Sequence, residues 1–194
     1  MPVTRFDDAI ARFDAANGED PVLEEAEGGA STRGLLYAQR MSARLDSFMG
    51  GATEALRLAV RAQHLKRFEM PRENYPMNRS GYLLWRSDSS KHHAALAGTI
   101  LREVGYDDAM VAAVEGIVRK KNRATNPEAQ ALEDVACLVF LVHYCEPFIA
   151  DKDDDAVVVI LQKTWAKMSP GGQAAARALS LADRPERLLE RALA

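Results

Sequence analysis

Apolar residues recur at helical spacing in nearly every apolar segment of the chain. Phe6, Ile10 and Phe13 follow one another at intervals of four and three residues, and later segments repeat the pattern. A period near 3.6 residues is typical of helices that bury one face. The β-branched run 157–160 lies between helical neighbours and is therefore interpreted as helix. We predict an all-α protein with at least seven helices and no sheet of three or more strands.

The length of 194 residues is enough for one domain with a real hydrophobic core. We expect a single-domain helical bundle over residues 1–194. Residues 17–33 are rich in Gly, Glu and Asp and have no apolar period, so they are predicted to form a long loop. The core is expected in residues 34–149, and further helices in residues 150–194.

Polar residues predict where several helices begin. Asp107 fits a helix N-cap, and Thr53 is expected to start a helix that carries His64 on its buried side. The polar stretch 87–90 is interpreted as a break between a short helix and a longer one. We therefore expect two separate helices between residues 78 and 104.

The longest apolar run falls short of the ~18 residues that cross a bilayer, so no membrane partner is expected. The acidic, amphipathic N-terminal segment is not typical of a signal peptide. Cys137 and Cys145 lie on one predicted helix, about 12 Å apart along its axis at 1.5 Å per residue, which is too far for a disulfide. We expect reduced core thiols and a cytoplasmic protein.

The net charge of −3 conceals a basic middle of the chain. Between Glu54 and Thr125, 13 Lys and Arg stand against 8 Asp and Glu, a local balance of +5. A basic segment on an acidic chain favours an anionic small ligand or a local nucleic-acid contact. The alternative is ordinary solvated charge on helix faces.

Two histidines and a carboxylate lie on helix faces that are predicted to point inward. His64 and His93 each share a stripe with apolar residues, and Asp134 lies on a core-facing stripe, where a carboxylate is costly unless it is paired or bound to metal. These three side chains would suit a divalent metal, with Glu69 as an added ligand or general base. The alternative is two satisfied core histidines and a first-turn acid that the helix dipole favours.

Residues 67–86 interleave arginines with aromatic residues, and this stretch is here named the basic aromatic segment. Guanidinium groups beside aromatic rings can clamp a phosphate and stack a base or sugar. We expect Arg67, Arg72, Tyr75 and Arg79 to border the same cavity as His64, where a phosphate or sulfate would bind. The alternative is a loop ordered by arginine pairs and stacking. The candidate ligand-binding residues are Arg67, Arg72, Tyr75, Arg79, Tyr82 and Arg86.

Five long strings between about Phe6 and Leu193 are specific enough to suggest a family: LLYAQRM, AQHLKRFEMPRENYPMNRSGYLLWR, HAALAGTILREVGYDD, LEDVACLVFL and KTWAKMSPGG. With these strings the chain resembles a family of short helical proteins, a domain of unknown function whose members are often labelled glutamyl-tRNA synthetase. The Lys-Met-Ser run 167–169 is similar to half of the synthetase KMSKS loop, but Pro170 and Gly171 replace the rest and no HIGH motif exists. Aminoacyl-tRNA synthetase activity is therefore not expected.

The chain also resembles, more remotely, the HD-domain phosphohydrolases, which are helical and metal-dependent. His64 matches the histidine of their His-Asp pair, but Leu65 stands where the aspartate belongs, and Tyr37 stands near the place of the first histidine. His93 matches a histidine of many members, and Asp134 approximately matches the last ligand. The resemblance implies an HD-like core that lacks half of the usual metal shell.

Three functions remain open from the sequence. The first is a divergent metal-dependent phosphohydrolase that acts on a nucleotide or another phosphate ester. The second is a non-catalytic binding protein for a nucleotide, RNA or another anionic ligand. The third is a structural or partner-binding helical protein.

Overall fold

The computed structural model describes residues 3–26 and 28–194, and these residues contain ten α-helices and one two-stranded antiparallel ribbon. The prediction of an all-α protein is confirmed. The chain forms two compact units, residues 1–122 and 123–194. The boundary between them falls within the range 34–149, which was expected to form the core.

The first unit consists of five helices and the ribbon. Its helices pack around large, fully buried side chains such as Phe13, Met41 and Leu101. The elements are α1 (Arg5–Asn17), β1 (Leu23–Ala26), β2 (Gly29–Thr32), α2 (Arg33–Phe48), α3 (Glu54–Arg61), α4 (Arg79–Glu103) and α5 (Asp108–Val118), with short 3-10 turns at Arg67–Glu69 and Arg72–Asn74.

The second unit consists of five further helices around buried Leu138, Leu161 and Leu188. The run 157–160 is helical, as predicted. The elements are α6 (Pro127–Val139), a π-helical turn (Phe140–Tyr144), α7 (Cys145–Ile149), α8 (Asp154–Trp165), α9 (Pro170–Arg177) and α10 (Asp183–Leu193).

The long loop predicted over residues 17–33 is wrong in its middle, where β1 and β2 form a hairpin with Leu23 opposite Thr32. Four-residue strands are too short to reveal an alternation in the sequence. Asp20 supports the hairpin, because its carboxylate accepts hydrogen bonds from the backbone N–H groups of Val22 and Gly34, at 3.0 and 3.1 Å. The hairpin is thereby tied to the start of α2.

The break predicted at residues 87–90 is also wrong, because α4 runs unbroken over 25 residues. Asp107 does cap α5, and Asn78 caps α4 through the N–H of Gly81. Ser89 is buried within α4, which packs against α1 and α5. Packing along the whole helix therefore outweighs the weak preference of Ser and Asp for helix ends.

Helix α3 ends at Arg61, so His64 lies in a turn and not on the helix predicted for it. Lys66 closes this turn with φ 50, a left-handed conformation, and its backbone N–H donates to Oδ1 of buried Asn17 at 3.0 Å. A partner at the end of α1 thus holds the chain as it leaves α3. The turn also meets α4, where the carbonyl oxygen of Leu65 lies 2.7 Å from Nδ1 of His93.

Cys137 and Cys145 are both buried thiols, as predicted. No helix in the described part of the chain combines the length and apolar character that crossing a membrane requires.

Asp134 is 2% exposed and makes a closed polar cluster in the second unit. Its carboxylate accepts from the N–H and Oγ of Ser169, at 2.8 and 2.6 Å, and from Nε2 of Gln130 at 3.0 Å. Ser169 is also the N-cap of α9. Three donors therefore satisfy the buried carboxylate and tie α6 to the start of α9.

We expect Gly172→Ala to lower the free energy of unfolding by about 1–3 kcal/mol, a typical result of overpacking. A Cβ atom at residue 172 would lie 2.6 Å from Cγ of Asp134, so the cluster would have to shift. The matched control is Gly171→Ala, where the nearest atom, Oγ of Ser169, lies 3.7 Å away. Chemical denaturation of both variants tests the expectation, and equal stability of the two would contradict it.

Candidate ligand-binding cavity

A half-open cavity of about 490 Å³ lies in the first unit. Three stretches of chain line it: the turn after α3, one face of α4, and the end of α5 with the turn that follows. The lining residues are Gln63, His64, Arg67, Tyr82, Trp85, Arg86, Ser87, Ser89, Ser90, Lys91, His93, Val118, Arg119, Lys120 and Lys121. This space is here named the basic cavity.

Helical spacing explains the contribution of α4. Trp85 and Arg86 lie three and four residues after Tyr82, and Ser89 and His93 continue the same spacing, which places all five on one face of a continuous helix. A helix break at residues 87–90 would have separated Tyr82, Trp85 and Arg86 from His93. The unbroken helix therefore builds one wall of the cavity.

Six cationic residues line the basic cavity, and no Asp or Glu of the described residues does so. Three of them, Arg119, Lys120 and Lys121, are consecutive, and Lys120 adopts a left-handed φ of 52. A left-handed conformation is uncommon for a residue other than Gly and departs from the helix at this point. The turn after α5 thus places a whole run of positive charge at the cavity. The other three cations are Arg67, Arg86 and Lys91.

His93 is fixed in one orientation at the buried end of the cavity. Its Nδ1 lies 2.7 Å from the carbonyl oxygen of Leu65, and since a carbonyl only accepts, Nδ1 carries the proton. Nε2 of the neutral ring is then a lone-pair acceptor. Burial lowers the pKa of His93 to about 4, while the bond to Leu65 raises this pKa and the nearby Arg67 lowers it, both by less than burial does.

His64 lies beside His93, with their ring centroids 5.7 Å apart. The His64 ring stacks on Tyr37 at 4.4 Å, and Nη1 of Arg67 lies 3.3 Å from its Nε2. Burial and the positive charge of Arg67 hold the pKa of His64 well below its usual range. Both imidazoles are therefore neutral near pH 7, and the cavity keeps its charge on arginine and lysine.

Arg67 is held by an aromatic ring as well as by His64. Its guanidinium lies 4.7 Å from the ring centre of Trp85, within the range of a cation–π interaction. The indole N–H of Trp85 donates in turn to the carbonyl of Met70 at 2.8 Å. Arg67 is thus positioned on a ring that is itself anchored to the chain.

The structure places five of the predicted site residues together. His64, Arg67, Tyr82, Arg86 and His93 all line the basic cavity. His64 and His93 are two of the three residues of the predicted metal set, and both line the basic cavity.

The expectation that Arg72, Tyr75 and Arg79 border this cavity is corrected, since none of the three lines it. Arg72 instead donates to the backbone carbonyls of Tyr75, Pro76 and Asn78, at 3.0, 2.8 and 3.4 Å. Its guanidinium orders the loop that leads into α4, which is the structural alternative that the sequence left open.

Glu69 also lies apart from the lining. Its two carboxylate oxygens contact Nζ of Lys66 at 3.0 Å and Nε2 of His92 at 3.1 Å. The carboxylate is therefore engaged by two cationic or potentially cationic neighbours. This arrangement gives no support to the hypothesis that Glu69 serves as a general base.

The residues present do not fit the divalent metal that the HD-domain resemblance implies. The described residues contain no group of three or more His, Cys, Asp and Glu side chains placed to hold a metal ion. Leu65 is buried and apolar at the position of the missing aspartate, and Tyr37 stacks on His64. Asp134 has its own donors within the second unit. The geometry within each unit therefore gives no support to His64, His93 and Asp134 as the ligands of one metal ion.

Sequence reasoning missed Gln63, Ser89 and the cationic run 119–121 as lining residues. Gln63 and Ser89 carry no motif, and Ser89 lies in the stretch interpreted as a helix break. The run 119–121 was visible, but cations at the end of a helix also suit the helix dipole. The left-handed turn that directs this run to the cavity has no signature in the sequence.

We expect the free energy of unfolding to fall as pH decreases from about 6.5 to about 4. The pKa of His93 drops from an ordinary 6.5 to about 4 on folding, so unfolding takes up a proton in this window. One such group contributes up to about 1.4 kcal/mol per pH unit to the slope of the free energy of unfolding against pH. His93→Asn should reduce the slope, because the amide N–H can still donate to Leu65 but does not titrate.

The control for this measurement is His143→Asn, since His143 is exposed. Denaturant unfolding between pH 4 and 7 compares the three proteins, and their shared carboxylates cancel in the comparison. The same slope in His93→Asn and the unsubstituted protein would show that His93 titrates normally in the folded state.

Comparison with known proteins gives a family but no characterised relative. The family model of a domain of unknown function, DUF4202, matches residues 7–189. No curated protein and no solved structure matches the chain. The resemblance to HD-domain phosphohydrolases stays a prediction, whereas the resemblance to a domain of unknown function is confirmed over nearly the whole chain. The chain belongs to the DUF4202 family.

Proposed function

We propose that this protein binds a small phosphorylated ligand in the basic cavity. The observation that carries the proposal is the gathering of six cationic residues, with no Asp or Glu of the described residues, around one cavity. Like charges repel, so such a cluster is stabilised by an anion. Phosphate is an anion that arginine and lysine side chains both bind through charge-assisted hydrogen bonds.

The size of the cavity favours a small molecule over a nucleic acid. Its volume of about 490 Å³ falls in the ordinary range of ligand pockets. A nucleic-acid surface would spread its cations along an extended face, and the chain as a whole carries a net charge of −3. Cations concentrated around one concave site suit a ligand that enters it.

The aromatic residues of the cavity support the same class of ligand. Tyr82 and Trp85 line it together, with ring centroids 5.9 Å apart. Trp85 already carries Arg67 near its face, whereas Tyr82 is 43% exposed. Tyr82 therefore offers apolar surface to the organic part of a phosphate ester.

Binding has better support than hydrolysis. The phosphohydrolase hypothesis needs a metal set and a free general base, and the described geometry favours neither. The binding proposal needs only the cations, the aromatic surface and the polar lining that the first unit provides.

We expect Arg119→Gln and Lys121→Gln each to weaken binding of inorganic phosphate about two- to fivefold. Both side chains are exposed, so each loss corresponds to an exposed charge interaction of up to about 1 kcal/mol. The matched control is Lys163→Gln, which removes one positive charge from an exposed lysine of α8 in the second unit. Titration followed by NMR at low salt measures the affinities, and the binding should weaken as salt is added.

Three results bear on the proposal. Loss of affinity confined to the cavity variants supports it. Equal losses in Lys163→Gln would indicate attraction by overall charge alone. Binding of single-stranded RNA with a much higher affinity than any phosphate monoester, lost in the same variants, would replace the small ligand with a nucleic acid.

We expect Arg72→Ala to lower the free energy of unfolding by about 1–3 kcal/mol and to leave phosphate affinity unchanged. Its guanidinium donates to three loop carbonyls, and hydrogen bonds from charged groups contribute in this range. Denaturant unfolding and the same NMR titration measure the two quantities. A large loss of affinity in folded Arg72→Ala would return this residue to the binding site.

A further inference from the structure

We infer that the buried end of the basic cavity recognises an uncharged group of the ligand that donates at least two hydrogen bonds. The inference rests on the proposed function and narrows its ligand to a phosphate ester whose organic part carries hydroxyl or amino groups. Three buried polar residues carry it: Gln63, Ser89 and His93.

Each of these residues has a buried polar atom without a hydrogen-bond partner in the part of the chain that the structure describes. The atoms are Oε1 of Gln63, Oγ of Ser89 and Nε2 of His93, in side chains of residues that are 8%, 3% and 2% exposed. All three residues line the basic cavity. Each of the three atoms is closed off from solvent, so a ligand reaches it only with a local rearrangement of the lining. A buried polar atom without a partner costs about 1–3 kcal/mol, and hydrogen bonds made to a ligand in that rearrangement would remove this cost.

The fold holds these three residues in place independently of any ligand. Ser89 and His93 are four residues apart on α4, hence neighbours on one face of the helix. The bond from His93 to the carbonyl of Leu65 ties this face to the turn that contains Gln63. The fold therefore fixes where these three residues lie around the cavity.

The chemistry of the three atoms determines what they can bind. Nε2 of His93 is an acceptor, because the proton is on Nδ1, and Oε1 of Gln63 is an acceptor. The hydroxyl of Ser89 can donate or accept. A complementary group must supply one hydrogen to each acceptor. A phosphate dianion has none to give, so it belongs with the cations and not at this end.

Two kinds of organic group meet this requirement. The hydroxyls of a sugar or another polyol each donate and accept, and the exocyclic amino group of a nucleobase donates two hydrogens. Both kinds of group can donate two or more hydrogen bonds to the acceptors of the cavity. A simple alkyl phosphate has the charge but lacks these hydrogens.

Calorimetric titration of the whole protein with two matched pairs of ligands tests the inference. The first pair is ribose 5-phosphate and butyl phosphate, which differ in hydroxyl groups. The second pair is adenosine 5′-monophosphate and purine riboside 5′-monophosphate, which differ in one amino group. We expect the donor-rich member of at least one pair to bind tenfold or more tightly, and the pair that shows the preference identifies the donor.

Variants then connect the preference to the cavity. Ser89→Ala should weaken binding of the preferred ligand about three- to tenfold and leave binding of butyl phosphate unchanged. The protein should be at least as stable as before, because the change removes a buried hydroxyl that has no partner. Gln63→Met removes an acceptor at similar volume and should likewise weaken binding of the preferred ligand but not of butyl phosphate. It provides a second test should Ser89→Ala fail to fold. The control is Ser47→Ala, an exposed residue of α2.

Failure of the inference and failure of the proposed function give different results. Equal binding of both members in both pairs would overturn the inference, since the buried end would then be filled by water alone, and would leave the phosphate site intact. Absence of binding by all four phosphates would overturn the proposed function itself. A preference that survives in both Ser89→Ala and Gln63→Met would place the donor elsewhere and likewise overturn the inference.

Discussion

The hydrogen bond from Nδ1 of His93 to the carbonyl of Leu65 is the interaction on which the candidate site depends. It joins the middle of α4 to the turn after α3, and that turn is held from its other side by Asn17 through the N–H of Lys66. The bond also determines the tautomer of His93, so that Nε2 is left as an acceptor at the cavity. One buried contact thus positions two walls of the cavity and sets the hydrogen-bonding character of its closed end.

The electrostatics of the cavity depend on the surroundings of its charged and titratable side chains. Arg67 lies on the ring of Trp85, and Arg119 and Lys121 remain in contact with solvent, which limits the desolvation of the cationic cluster. His64 and His93 avoid adding to that charge because burial and neighbouring cations depress their pKa values. The result is a site that is positive at its accessible rim and neutral but polar where it is closed.

The buried polar groups of the two units differ in a way that separates structural from functional use. In the second unit Asp134 is fully satisfied by Ser169 and Gln130, so a carboxylate on an apolar stripe needs no metal to be stable there. In the first unit Ser89 and His93 are equally buried but retain unpartnered atoms at a cavity. Satisfied groups hold the fold together, whereas unsatisfied groups beside an accessible space are suited to a ligand.

The sequence by itself determined the helical class, the inward direction of His93, and the burial of Asp134, because periodicity and capping report on one element and its nearest residues. Only the tertiary structure decided that α4 continues through residues 87–90, that Arg72 orders a loop, and that Asp134 pairs with Ser169, which lies 35 residues later. The tertiary structure also decided that residues 23–26 pair with residues 29–32 and that the run 119–121 lies at the cavity. The physical reason is that a pattern shows which face of a helix is buried, whereas the partner of that face is chosen by packing between residues far apart in the chain.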